Sequence, residues 1–255
     1  GRDTPMAARA NARFPATLTL PADTTASTVY LRLKGTVPMR GQIRLQSLGE
    51  WRSQSRMQLA AMTVCFGVAL LAVLYALGRA WHLRSRAYAR YAALGLSIAA
   101  TGVFISGYGE TWLWPWVADW RGPIASAIAC VSAGLALLLA ECAFALEVRA
   151  PRFALLLRVM GVLCPLAGVL GLGFDLAVHQ MLSHGAAAAA IGMSLCSFWF
   201  AWRTENRAAV WLLLGFVPVS LGVGVTTLAV AGIIPFTPWV LMAMPLGSAL
   251  EVPFN

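Results

Sequence analysis

Two carboxylates stand inside apolar runs of this chain. Glu141 lies in LLLAECAFALEVR, and Glu251 lies in MPLGSALEV. A charged side chain deep in a bilayer costs roughly 2.5–3.5 kcal/mol even on insertion scales, so such residues are rare and usually face a helix-bundle interior. The chemistry open to them is a proton or cation path, or a paired contact that two helix packings make differently. Glu141 sits near the end of its run, close enough to the polar boundary for its side chain to reach toward it. Glu251 lies well inside its run and is expected to be paired within the bundle.

The other reactive residue types do not assemble. His82 is in a basic loop, and His179 and His184 are five apart, which places them poorly on one helical face. A helical zinc pair is spaced by four with a third ligand nearby, so no metal or cofactor is expected. The five cysteines, Cys65, Cys130, Cys142, Cys164 and Cys196, all lie in apolar runs without ligand spacing. They read as small buried or lipid-facing residues, not as a disulfide framework. Neither a nucleophile elbow nor a phosphate loop appears. The one lysine, Lys34, precedes the apolar runs, which excludes a retinal Schiff base within the bundle. A dense aromatic group, Trp112, Trp114, Trp116 and Trp120, occupies GETWLWPWVADWRG. Indole prefers the membrane–water boundary, so these four read as an interfacial belt or as contacts to an outer ligand. Glu110 and Asp119 flank them as solvated charges.

The elements that must position these residues are membrane helices. The chain has 255 residues, 59% hydrophobic and 11% charged, with a mean hydropathy of +0.72. A soluble domain carries about 25% charged residues. From Met57 onward, apolar runs long enough to span recur between short polar breaks. Seven are expected: 57–78, 88–108, 123–146, 153–174, 179–202, 208–233 and 238–255. Residues 1–56 differ, with nine Arg/Lys and three Asp/Glu. ATLTL (16–20), TVYLRLK (28–34) and GQIRLQS (41–47) alternate as strands do. The expected architecture is a mostly α, seven-helix transmembrane bundle (53–255) preceded by the last part of an extracytoplasmic β-sandwich (1–52). The start, GRDTPMAARANAR, and the end inside an apolar run suggest a fragment.

Orientation follows from arginine in the short loops. The first holds Arg79, Arg84, Arg86 and Arg90, the third Arg149, Arg152 and Arg158, and the fifth Arg203 and Arg207. The even loops hold Arg121 alone. The odd loops are therefore expected in the cytoplasm and the N-terminal segment outside. This arginine bias accounts for the basic charge without a nucleic-acid partner. Small residues at four-residue spacing, Ser126/Cys130/Gly134 and Gly185/Ala189, are expected to let helices approach closely.

Local wording then becomes informative. Arg84, Tyr88 and Tyr91 open the second run as R-x-x-x-Y-x-x-Y, and YGETWLWPW carries Leu-Trp-Pro. RAPRFALLLR opens the fourth run, and Gly247, Ser248 and Glu251 lie in G-S-A-L-E of the seventh. In this order, over about 57–255, the chain resembles the bacterial seven-transmembrane receptors with diverse intracellular signalling modules. Residues 14–48 look like the tail of the jelly-roll sensor domain that often precedes such helices. Pro253 departs from the family's plain aliphatic residues at that point.

The resemblance implies an inner-membrane receptor region without enzyme activity of its own. It would pass the binding of an extracytoplasmic small ligand, carbohydrate among the candidates, to a cytoplasmic module in cis. That module is commonly a histidine kinase or a diguanylate cyclase. Its partners would be the lipid bilayer, the ligand and the output module, and a homodimer is compatible with it. The alternatives are a transporter or ion-conducting bundle using Glu141 and Glu251, and a passive anchor. No inverted repeat supports transport.

Overall fold

The computed structural model describes residues 47–106, 120–203, 217, 220–229, 233, 234 and 240. Up to position 46, the expected strands and jelly-roll tail lie outside the described residues; the last two residues of that expected tail, Ser47 and Leu48, are instead the cap and first residue of a helix. Among the described residues the helices are, in chain order, α1 Leu48–Leu83, α2 Arg86–Ser106, α3 Arg121–Ala143, the four-residue α4 Leu146–Arg149, α5 Pro151–Gly171, α6 Leu176–Arg203 and α7 Ser220–Ala229. Five of them, α1, α2, α3, α5 and α6, are long and apolar enough to cross a membrane. They fall on the first five expected runs. α7 lies within the sixth run. Of the seventh, only Val240 is described; it is buried, and its carbonyl oxygen lies 3.5 Å from the Thr226 hydroxyl of α7.

Local signals set the helix ends. α1 begins nine residues before its expected start and five before the 52/53 boundary. Ser47 and Glu50 form a capping box there: the Ser47 hydroxyl accepts from the Glu50 N–H at 3.2 Å, and the Glu50 carboxylate accepts from the Ser47 N–H at 3.3 Å. Two orphan donors are thus satisfied at the first turn. α1 ends at Arg84, whose left-handed φ of 48° turns the chain into α2. α3 ends before Ala145, also left-handed at φ 49°, and α4 then reverses the chain into α5. Pro151 starts α5, where its missing N–H costs nothing.

The packing is the reverse of a water-soluble core. The buried seam of α1 is Met62, Cys65, Ala69, Val73 and Ala76, a helical three-or-four spacing, while Leu70, Leu71 and Leu74 face outward. The interior also holds Ser97, Thr101, Ser132, Ser194, Ser197 and Glu141. Exposed aliphatic and buried hydroxyl side chains suit a helix set in hydrocarbon, where apolar surface gains nothing by leaving lipid and polar groups must find partners inside.

α3 is the central element. It packs most extensively on α5, then on α2 and α6, whereas α1 packs on α2. The α3–α5 contact is unusually close. A Cβ added at Gly134 would lie 2.5 Å from the Gly161 carbonyl oxygen and 2.6 Å from Pro165 Cδ. One added at Gly168 would lie 2.7 Å from Cys130 Cβ. Cys130 and Gly134 of the expected stripe thus pack closely, with Gly161 and Gly168 facing them on α5, while Ser126 lines the cavity between the helices. Gly185 does not pack closely: it is exposed, and a Cβ there meets nothing within 4 Å. Its face of α6 points away from the neighbouring helices, so small size brings no close approach there.

Candidate functional site

The charged interior residue sits at the end of α3 and is held from two sides. Glu141 is 4% exposed. Its Oε2 accepts from Arg90 Nη1 of α2 at 2.9 Å. Its Oε1 accepts from Arg158 of α5, at 2.7 Å from Nη2 and 3.2 Å from Nε. Arg90 Nη1 also donates to the Leu138 carbonyl at 2.7 Å, and Arg158 Nη2 reaches Glu147 of α4 at 2.9 Å. Two guanidiniums and two carboxylates therefore balance within one cluster.

Three helices meet at this carboxylate. Arg90 enters one turn after the start of α2, and Arg158 two turns after the start of α5. Both planar forks suit a carboxylate. The α4 turn brings Glu147 to the outer edge of the cluster, where its side chain is 70% exposed. At the same end of the bundle, Arg79 of α1 lies over the rings of Tyr75 and Tyr88 at 6.0 and 5.6 Å, and Arg203 of α6 over Trp199 at 5.1 Å. These arginines have an apolar stem and an aromatic platform, as suits a membrane boundary.

Sequence reasoning found Glu141 but placed its side chain toward the surface. It assigned Arg90 and Arg158 to loops that set topology. Glu141 is instead buried, and both arginines fold inward to meet it. The available signal was depth: an intramembrane carboxylate needs a cationic partner, and these are the arginines that lie within α2 and α5, past their first residues.

The remaining candidates separate. Trp120 is exposed immediately before α3, as an interfacial indole would be. Trp112, Trp114, Trp116, Gly247, Ser248 and Glu251 lie outside the described residues. His82 is exposed at the end of α1. His179 is buried, with neither ring nitrogen hydrogen-bonded, and packs where a Cβ on Gly171 would be 2.6 Å from its ring. His184 Nδ1 contacts the Gln180 carbonyl oxygen one turn earlier. Among the described residues, no three His, Cys, Asp or Glu side chains are grouped to hold a metal ion. The described cysteines are free thiols.

Apolar helices of spanning length, a polar interior and a buried ion cluster define a multi-pass membrane bundle. A family model described as 7TM diverse intracellular signalling matches residues 58–254. The chain belongs to that family of seven-transmembrane signalling receptors. No curated protein and no solved structure matches it.

Proposed function

We propose that the bundle relays the binding of an extracytoplasmic ligand to a cytoplasmic output module in cis. In this reading the protein spans the bacterial inner membrane with the Arg-rich loops inside, and catalysis belongs to the output module, not to the bundle. The observation that carries the proposal is the Glu141 cluster. One buried carboxylate ties α2, α3 and α5 together at the end expected to face the cytoplasm. Its partners come from different helices, so a shift of one helix makes or breaks a charge-assisted contact. A discrete contact of this kind can separate two packed states, and a ligand preferring one state shifts the population.

The test uses the full-length protein with its output assayed in cells. Glu141→Gln and Arg90→Gln are expected to change basal output, because they alter the balance between states. Glu147→Gln, at the exposed edge, is expected to leave it near wild type. Wild-type basal and stimulated output from correctly inserted Glu141→Gln protein would overturn the relay reading.

A further inference from the structure

The half of the bundle away from Glu141 holds a half-open cavity of about 280 Å³ between α2, α3, α6 and α7. On α3 it extends from Gly122 to Ala136, and on α6 from Gln180 to Ser194. An apolar cavity of roughly 150 Å³ admits benzene, so this one has room for a two-ring molecule.

Several of its polar lining groups share one chemistry, beside Ser126, Gln180, Ser220 and Thr227, which also line it. The Thr101 hydroxyl donates to the Ser97 carbonyl at 2.9 Å, and the Thr226 hydroxyl to the Gly222 carbonyl at 2.9 Å. The Ser183 hydroxyl donates to the Gln180 carbonyl at 2.9 Å. The Ser132 hydroxyl is within 3.0 Å of both the Ile128 carbonyl and the Ser97 hydroxyl, whose own proton goes to the Leu94 carbonyl. Each of these hydroxyls has spent its proton on protein, so each offers lone pairs. In the neutral ring, His184 behaves alike: Nδ1 faces a carbonyl, which only accepts, so Nδ1 carries the hydrogen and Nε2 keeps a lone pair. Ser194 differs. It is 6% exposed, and its Oγ has no hydrogen-bond partner. A buried hydroxyl left unpaired carries a desolvation cost that a bound partner would remove.

We propose that this cavity binds an uncharged organic molecule of about two rings, with an apolar body and at least one hydrogen-bond donor. Charge is disfavoured because no ionised side chain lines the cavity among the described residues. An acyl chain would fill the space but leave the acceptors and Ser194 unanswered. The site does not depend on the relay reading, because binding is measured without any output.

The test is binding of 1-naphthol and of its donor-capped analogue 1-methoxynaphthalene to the full chain in lipid nanodiscs, against empty nanodiscs. Saturable one-to-one binding of 1-naphthol is expected, with 1-methoxynaphthalene weaker by about tenfold. Ala187→Phe, on the cavity wall, is expected to abolish saturable binding. The near-isosteric Thr101→Val/Ser194→Ala pair, which decides the matter if Ala187→Phe does not fold, is expected to weaken 1-naphthol several-fold and leave 1-methoxynaphthalene unchanged. Equal affinity for the two probes, or binding insensitive to the folded variants, would overturn the proposal and indicate lipid-like partitioning.

Discussion

Glu141→Gln preserves volume and one acceptor oxygen, but it places an amide N–H against a guanidinium. Removing one member of a buried ion pair typically costs about 3–5 kcal/mol, because the partner's charge is stranded. Two features reduce that figure here. The side chains of Arg90 and Arg158 are 27% and 43% exposed, and their long stems let a stranded guanidinium reach toward the polar boundary. Arg158 also keeps Glu147, and Arg90 keeps the Leu138 carbonyl. The exposed Arg158–Glu147 pair itself is worth at most about 1 kcal/mol. A working cost of about 2 kcal/mol follows, or a fall in Tm of about 4–8 °C for a chain of this size. Thermal unfolding followed with a thiol-reactive fluorogenic maleimide suits the protein, since Cys130, Cys164 and Cys65 are 0%, 4% and 5% exposed. Arg90→Gln should cost less, and the Glu141→Gln/Arg90→Gln double variant should cost less than the sum of the two, because each single change strands a charge that the other removes. Glu147→Gln should shift Tm by no more than about 2–4 °C. Equal Tm values for Glu141→Gln and wild type would refute the view that this cluster holds the helices together.

Gly134→Ala and Gly168→Ala should each cost about 1–3 kcal/mol, since their new methyl groups meet backbone or Cβ atoms on the facing helix; Gly185→Ala and Gly192→Ala, with nothing within 4 Å, should leave Tm unchanged or raised. The same thermal assay distinguishes the two pairs. Ser47→Ala should cost α1 about 1 kcal/mol by removing the capping box, read as faster amide exchange in its first turn. A membrane-permeant maleimide should label exposed Cys196 and half-buried Cys142 in the folded protein well before Cys130 and Cys164; simultaneous labelling would contradict the packing of α3 on α5.

The helices were legible because each is an unbroken apolar run of spanning length, and five runs became α1, α2, α3, α5 and α6 within a few residues, apart from the two ends of α1. Its early start was signalled by Ser47-Leu48-Gly49-Glu50, a capping-box spacing masked by the strand-like alternation just before it. The ion cluster was half legible. Hydropathy marks a carboxylate in an apolar run as costly, but Arg90 and Arg158 were equally well explained as topological charge. Which explanation holds depends on how far each helix reaches past its first arginine, and only packing decides that. The facing glycines Gly161 and Gly168 were hidden for a similar reason. Glycine is frequent in membrane helices, and spacing on one helix does not reveal what the next brings opposite.

Two faces of α3 bring the cavity and the ion cluster into one mechanical unit. At 100° per residue, Gly122, Ala125, Ala129 and Ala136 of the cavity wall share one side of the helix. Cys130, Gly134 and Glu141 lie roughly a third of a turn around, on the side held by α5. The α5 contact is backbone-close and resists sliding, because interfaces packed this tightly tend to hold one of a few discrete arrangements. The cavity side is hydroxyl-rich and borders about 280 Å³ of space, so it has volume to give up. A movement of the α3–α5 pair toward α2 and α6 would consume that volume and carry Glu141 along with Arg158, changing its distance to Arg90. An occupant of the cavity would oppose the movement. This gives a specific expectation: if the proposed cavity binder and the proposed relay are both correct, 1-naphthol should raise the Tm of wild type and of Glu141→Gln alike, yet change output only in the protein whose ion cluster is intact.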